Sequence, residues 1–91
     1  MKPTFTYIEI EESTGLARGS LVIWIEREWI APADPESQRL DEEDVARIRL
    51  IRELREDFGA NDEAIPLILH LLDQICYLRS ELARIGDRES G

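Results

Sequence analysis

Apolar residues recur along the chain with helical spacing in several stretches, broken by one proline-containing segment. Leu21, Trp24 and Ile25 fall at i, i+3 and i+4, one face of a helix predicted from Ala17 or Ser20 to Glu28. Ser20 is placed to cap its first backbone N–H groups. Further on, Val45, Ile48, Ile51, Leu54 and Phe58 share one face of a third helix, with Leu50 beside them. Asp41 suits its N-cap, and Glu42, Glu43 and Asp44 fill the first turn, where the positive end of the helix dipole favours anions. Gly59 ends it, because glycine accepts the left-handed conformation after a helix. A fourth helix, capped by Asn61 or Asp62, runs to about Ile85. Pro66 suits only its first turn, where the missing N–H had no partner.

The remaining segments are less regular. From Thr4 to Ser13, Phe5, Tyr7, Ile8 and Ile10 alternate as in a strand, whereas Ile8 to Glu12 suits a short helix. Both readings stand, and Thr14-Gly15 stops either one. Ile30 to Arg39 contains Pro32 and Pro35 among small polar residues, so it is a loop. It is expected to be the tip of a small hairpin with Trp29–Ala31 and Arg39–Leu40 as its arms. Arg47, Arg49, Arg52 and Arg55 surround the third helix. Arg49 precedes Glu53, and Arg52 precedes Glu56, by four residues, a spacing that pairs charges.

The fourth helix has the most informative pattern. Ala64, Ile68, Leu71, Ile75, Leu78, Leu82 and Ile85 alternate spacings of four and three, a heptad seam. Ile65, Leu69, Leu72 and Cys76 form a second stripe beside it. One stripe docks a helix on its own domain. Two predict that it also meets a partner, here a second copy, because wide apolar surface is seldom left wet. The alternative is a central helix whose two stripes fill one core.

Composition narrows the function. The 91 residues suffice for one domain, and 43% are hydrophobic, so the chain is not of disordered type. Net charge is −9, with 20 acidic and 11 basic side chains. Both the first 40 residues and the remainder are net acidic. DNA binding relies on Lys and Arg against phosphates, so direct DNA binding is not expected. A cationic protein surface suits this charge better. The single cysteine fits a reducing compartment, and no stretch reads as a membrane span or a signal peptide, so a cytoplasmic location is expected.

Catalytic constellations are sparse, and no enzyme activity, cofactor or metal is expected. His70 is the one histidine, with Asp73 at i+3; such a pair is most often a surface hydrogen bond. Cys76 reads as a small core hydrophobe. The carboxylates of Asp41 to Asp44 are contiguous on a helix start and point apart, so they cap rather than chelate. Glu56, Asp57, Asp62 and Glu63 cluster around Phe58 and Gly59, with Asp73 two to three turns on. They form either a solvated, capping face or an acidic surface for a basic partner helix, with Asp57, Asp62, Glu63 and Asp73 as its contacts.

The stretches TGLARGSLVIWIEREWIAP, RLDEEDVARIRLIRELREDFGANDEAI and LILHLLDQICYLRSELARI resemble the CbpM-type chaperone-modulator family, a branch of MerR-like winged helix-turn-helix proteins. The resemblance spans about residues 4 to 85. It rests most on Asp44-Val45-Ala46-Arg47-Ile48, Leu54, Asp57, Gly59, Asn61-Asp62, Leu72-Asp73-Gln74 and Leu78-Arg79. It implies a mainly α fold: a helix-turn-helix, a small β wing at Pro32 to Leu40, a third helix, and a long C-terminal helix used for dimerising. Residues 1–60 would then be the winged part, 61–86 the dimerisation helix of the same compact domain, and 87–91 a frayed tail. The dimer seam would comprise Ile68, Leu71, Ile75, Leu78, Leu82 and Ile85.

The resemblance implies binding to the J domain of a DnaJ/CbpA-like co-chaperone, inhibition of its stimulation of Hsp70, and interference with its DNA binding. The alternative is a MerR-like DNA-binding regulator. DNA-binding relatives typically carry an Arg-Tyr-Tyr-like stretch before the wing proline; here Val22, Ile23 and Trp24 stand there. Gln38 and Leu40 stand where wing arginine and tyrosine are expected, leaving Arg18, Arg27 and Arg39 as a weak phosphate-binding set. A third reading is a generic dimeric domain within a larger regulatory complex.

Overall fold

The computed structural model describes residues 2–90, with side-chain surroundings for residues 2–86. A two-residue strand β1 (Phe5–Thr6) leads into α1 (Tyr7–Thr14), and then α2 (Ser20–Glu26). A 3-10 turn at Pro35–Ser37 precedes β2 (Arg39–Leu40), followed by α3 (Glu42–Glu56) and α4 (Ala64–Ser90). Contacts divide the chain into two compact units, residues 1–60 and 61–91.

In the first unit, the ambiguous N-terminal segment is both strand and helix. Thr6 ends the strand and its hydroxyl accepts the Glu9 N–H at 3.2 Å, which starts α1. Gly15 at φ 74° closes α1, with the Leu16 N–H returning to the Glu11 carbonyl. The expected hairpin between Trp29–Ala31 and Arg39–Leu40 does not form. β2 pairs instead with β1, antiparallel, Phe5 opposite Leu40 and Thr6 opposite Arg39. The reason lies in Trp29 and Ile30, whose side chains are buried, and in the Trp29 carbonyl, which accepts Arg47 Nε at 2.7 Å. That backbone is already engaged by α3.

Ile10, Leu21, Trp24, Trp29, Ile30, Leu40, Val45, Ile48 and Ile51 are buried in this unit, and so is Pro32. The Trp24 and Trp29 rings meet at 5.9 Å, tilted by 44°, an arrangement aromatic pairs favour. Trp29 is positioned by a left-handed residue, Glu28 (φ 62°), after which its N–H reaches the Trp24 carbonyl at 2.9 Å.

α3 begins as expected. The Asp41 carboxylate accepts the Asp44 N–H at 2.9 Å and Asp44 returns the bond to the Asp41 N–H at 3.1 Å, a full capping box. Its end departs from expectation. Phe58 continues the apolar spacing but is 76% exposed. α3 stops at Glu56, and the Phe58 N–H bonds the Glu53 carbonyl, five residues back, so the ring leaves the helical face.

In the second unit, Asn61 is the residue that caps α4: its Oδ1 accepts the Ala64 N–H at 2.9 Å. Pro66 falls within the first turn, where it breaks no hydrogen bond. The frayed tail expected at 87–91 lies outside the residues whose surroundings are described, although helical backbone continues to Ser90.

Candidate interaction surfaces

α2 is the element a helix-turn-helix would lay on a partner. Its start is built by a residue the sequence analysis did not single out. Ser20 is not the cap: Gly19 is, and the Ser20 hydroxyl donates to the Ala17 carbonyl. The cap is supplied from α1, where Oε2 of buried Glu11 accepts the N–H groups of Gly19 and Leu21 at 3.0 and 3.1 Å. An acid at an inward helix position, between buried Ile10 and Thr14, is the signal that could have revealed it. Leu21 and Trp24 are then buried, while Val22, Ile23 and Glu26 face solvent.

Of the cations near this surface, Arg39, Arg27 and Arg55 are engaged with the protein itself, while Arg18 is exposed. The Arg39 guanidinium donates from Nε to Thr4 Oγ1 at 2.8 Å and from Nη2 to the Thr4 carbonyl at 3.4 Å. Arg27 lies over the Trp29 ring at 5.2 Å and Arg55 over Trp24 at 5.9 Å, distances at which a cation is attracted to a ring face. On α3, Arg52 pairs with Glu56 at 3.3 Å, as its spacing suggested.

The four acidic residues singled out are all exposed. Asp57 is the C-cap of α3, in the first unit. Asp62 and Glu63 lie in the turn before α4, and Asp73 lies on α4, all in the second unit. At the rise of about 1.5 Å per residue, Asp73 is about 15 Å along the helix from Glu63. These two therefore form separate points rather than one cluster.

The two stripes of α4 differ in burial. Ile65 and Leu69 are buried and Leu72 is half-buried, whereas Cys76, expected inside, is exposed. The stripe continues past the part of the helix that is covered. On the seam, Ile68 is half-buried, and Leu71, Ile75, Leu78, Leu82 and Ile85 are 47 to 67% exposed.

His70 is exposed, its Nε2 lying 3.1 Å from the Gln74 side-chain nitrogen. Among the described residues, no three His, Cys, Asp or Glu side chains converge as a metal site requires. No helix among them is long and apolar enough to cross a membrane.

The profile described as MerR HTH family regulatory protein matches residues 5–86. No curated protein and no solved structure matches the chain. The chain belongs to the MerR HTH family of regulatory proteins, and its four helices with a two-stranded sheet are a winged helix-turn-helix carrying a long C-terminal helix.

Proposed function

We propose that this MerR-family chain is a chaperone modulator. It binds the J domain of a DnaJ/CbpA-like co-chaperone, inhibits that protein's stimulation of Hsp70, and obstructs its DNA binding. The observation that carries this reading is the outward face of α2. Where a groove-reading helix presents cations and hydrogen-bond donors, α2 presents Val22, Ile23 and Glu26. The wing arginine, Arg39, is turned back onto Thr4. With a net charge of −9, the favoured partner is a cationic protein surface rather than a polyanion. The resemblance to CbpM-type modulators supports the same choice.

In this reading Asp57, Asp62, Glu63 and Asp73 contact the basic helix of the J domain. The protein works in the cytoplasm as a homodimer joined along Ile68, Leu71, Ile75, Leu78, Leu82 and Ile85. It performs no chemistry of its own and needs no cofactor. Calorimetry with the J-domain protein of the same organism tests it, at low and high salt. Binding should occur at low salt and weaken as salt screens the exposed charges. Failure to bind at low salt, or indifference to salt, counts against it. A sequence-selective gel shift at nanomolar protein would establish the DNA-binding alternative instead.

A further inference from the structure

We infer that Phe58 is the anchor by which this protein grips its cationic partner, its ring entering an apolar cleft on a helical surface rimmed by basic residues. At 76% exposure, Phe58 is the most exposed large hydrophobic residue among those described. It is not on a loose tail. The N–H groups of Asp57 and Phe58 both bond the Glu53 carbonyl, at 2.8 and 3.2 Å, and the Ala60 N–H returns to the Leu54 carbonyl at 2.8 Å. Gly59, at φ 65°, makes that closure possible. The ring is thus held outward by a closed turn, so little ordering is needed when it is buried.

The surroundings select the partner. Glu53, Glu56 and Asp57, in the same unit as Phe58, lie within five residues of it along the chain and are exposed, with Glu56 paired to Arg52 at 3.3 Å. The cation within that stretch, Arg55, is turned over the Trp24 ring. An exposed aromatic ring flanked along the chain by the carboxylates of Glu53 and Asp57 complements an apolar cleft bordered by Lys and Arg, and aromatic anchors of this kind dominate interface energies. A second acidic copy of this chain would bring like charges together at the same place.

This inference rests on the J-domain reading and gives it a contact. It is tested with the full chain and the J-domain co-chaperone by calorimetry, using Phe58→Ser and Phe58→Trp, with thermal melting as the fold control. Phe58→Ser should weaken binding about ten-fold or more, while Phe58→Trp stays within about three-fold of wild type. Both variants should melt within about 2 °C of wild type, as expected for an exposed site. If wild type binds and Phe58→Ser binds equally well, the anchor is wrong and the proposed function stands. If wild type does not bind, both fall. If Phe58→Ser leaves the J-domain affinity intact but lowers the mass in sedimentation, a second copy covers the ring and the inference is overturned.

Discussion

Glu11 and Leu21 are joined by a hydrogen bond that sets the geometry of the helix-turn-helix. The carboxylate of Glu11, from α1, accepts the Leu21 N–H at 3.1 Å at the start of α2, and the same oxygen accepts the Gly19 N–H. α2 has only seven residues and no side-chain cap of its own at its N-cap position. Short helices are marginal without tertiary support, so this bond fixes both where α2 begins and how it lies on α1.

Replacing Glu11 therefore leaves two backbone donors without their acceptor. Glu11→Ala should destabilise the fold by about 2 kcal/mol or more, since hydrogen bonds to buried charged groups are the costly ones to lose. Glu11→Gln keeps an oxygen and should cost about half as much. Urea unfolding checks this: the midpoint falls while the slope stays unchanged.

Glu28 should respond in the opposite direction. It occupies the left-handed region at φ 62°, which costs a non-glycine residue about 1–2 kcal/mol. Glu28→Gly relieves that strain but adds entropy to the unfolded chain, so the net gain should be about 0.5 kcal/mol. A higher melting temperature is the expected reading, with the Trp29 environment unchanged by fluorescence.

The capping box gives two opposed acid responses. The Asp44 N–H holds the Asp41 carboxyl below its ordinary value. Burial, together with the nearby Asp41 charge, pushes Asp44 above its own. Asp41 thus contributes stability that is present above its unfolded value and lost as pH falls through its depressed folded value. Asp44 contributes stability that is full below its unfolded value and lost as pH rises through its raised folded value. Asparagine caps nearly as well without titrating. Against wild type, Asp41→Asn should gain relative stability at the acid end, and Asp44→Asn should gain it towards neutrality. Denaturant melts across the acidic range measure both.

Leu78→Glu or Leu82→Glu should give monomers if α4 is the dimer seam. Both side chains are more than half exposed in the single chain, at 57 and 67%. A charge there should leave the fold intact while breaking the association. Sedimentation should show the mass halved, and an unchanged mass would count against the seam.

The buried faces were legible from spacing alone: Leu21 and Trp24 on α2, and Val45, Ile48 and Ile51 on α3, are all buried. Spacing does not show where a face stops being covered. Phe58 keeps the α3 rhythm beyond the last helical turn, and Cys76 keeps the α4 rhythm beyond Leu72; both are exposed. Strand pairing was also hidden, because β1 and β2 meet through tertiary contact and neither carries a local signal for the other. Of the candidate contacts, the exposure of Asp57, Asp62, Glu63 and Asp73 followed from their polarity. Glu11 escaped because its role depends on a backbone it meets only after folding.

The ladder between Phe5–Thr6 and Arg39–Leu40, reinforced by the Thr4–Arg39 bond between positions 35 apart, makes the first strand a latch for the wing. Closing so long a loop for so short a ladder leaves little free energy to hold it shut. Deletion of residues 1–6 would therefore set the Pro35–Ser37 turn loose, a coupling that amide exchange at Leu40 would register before any helix opened.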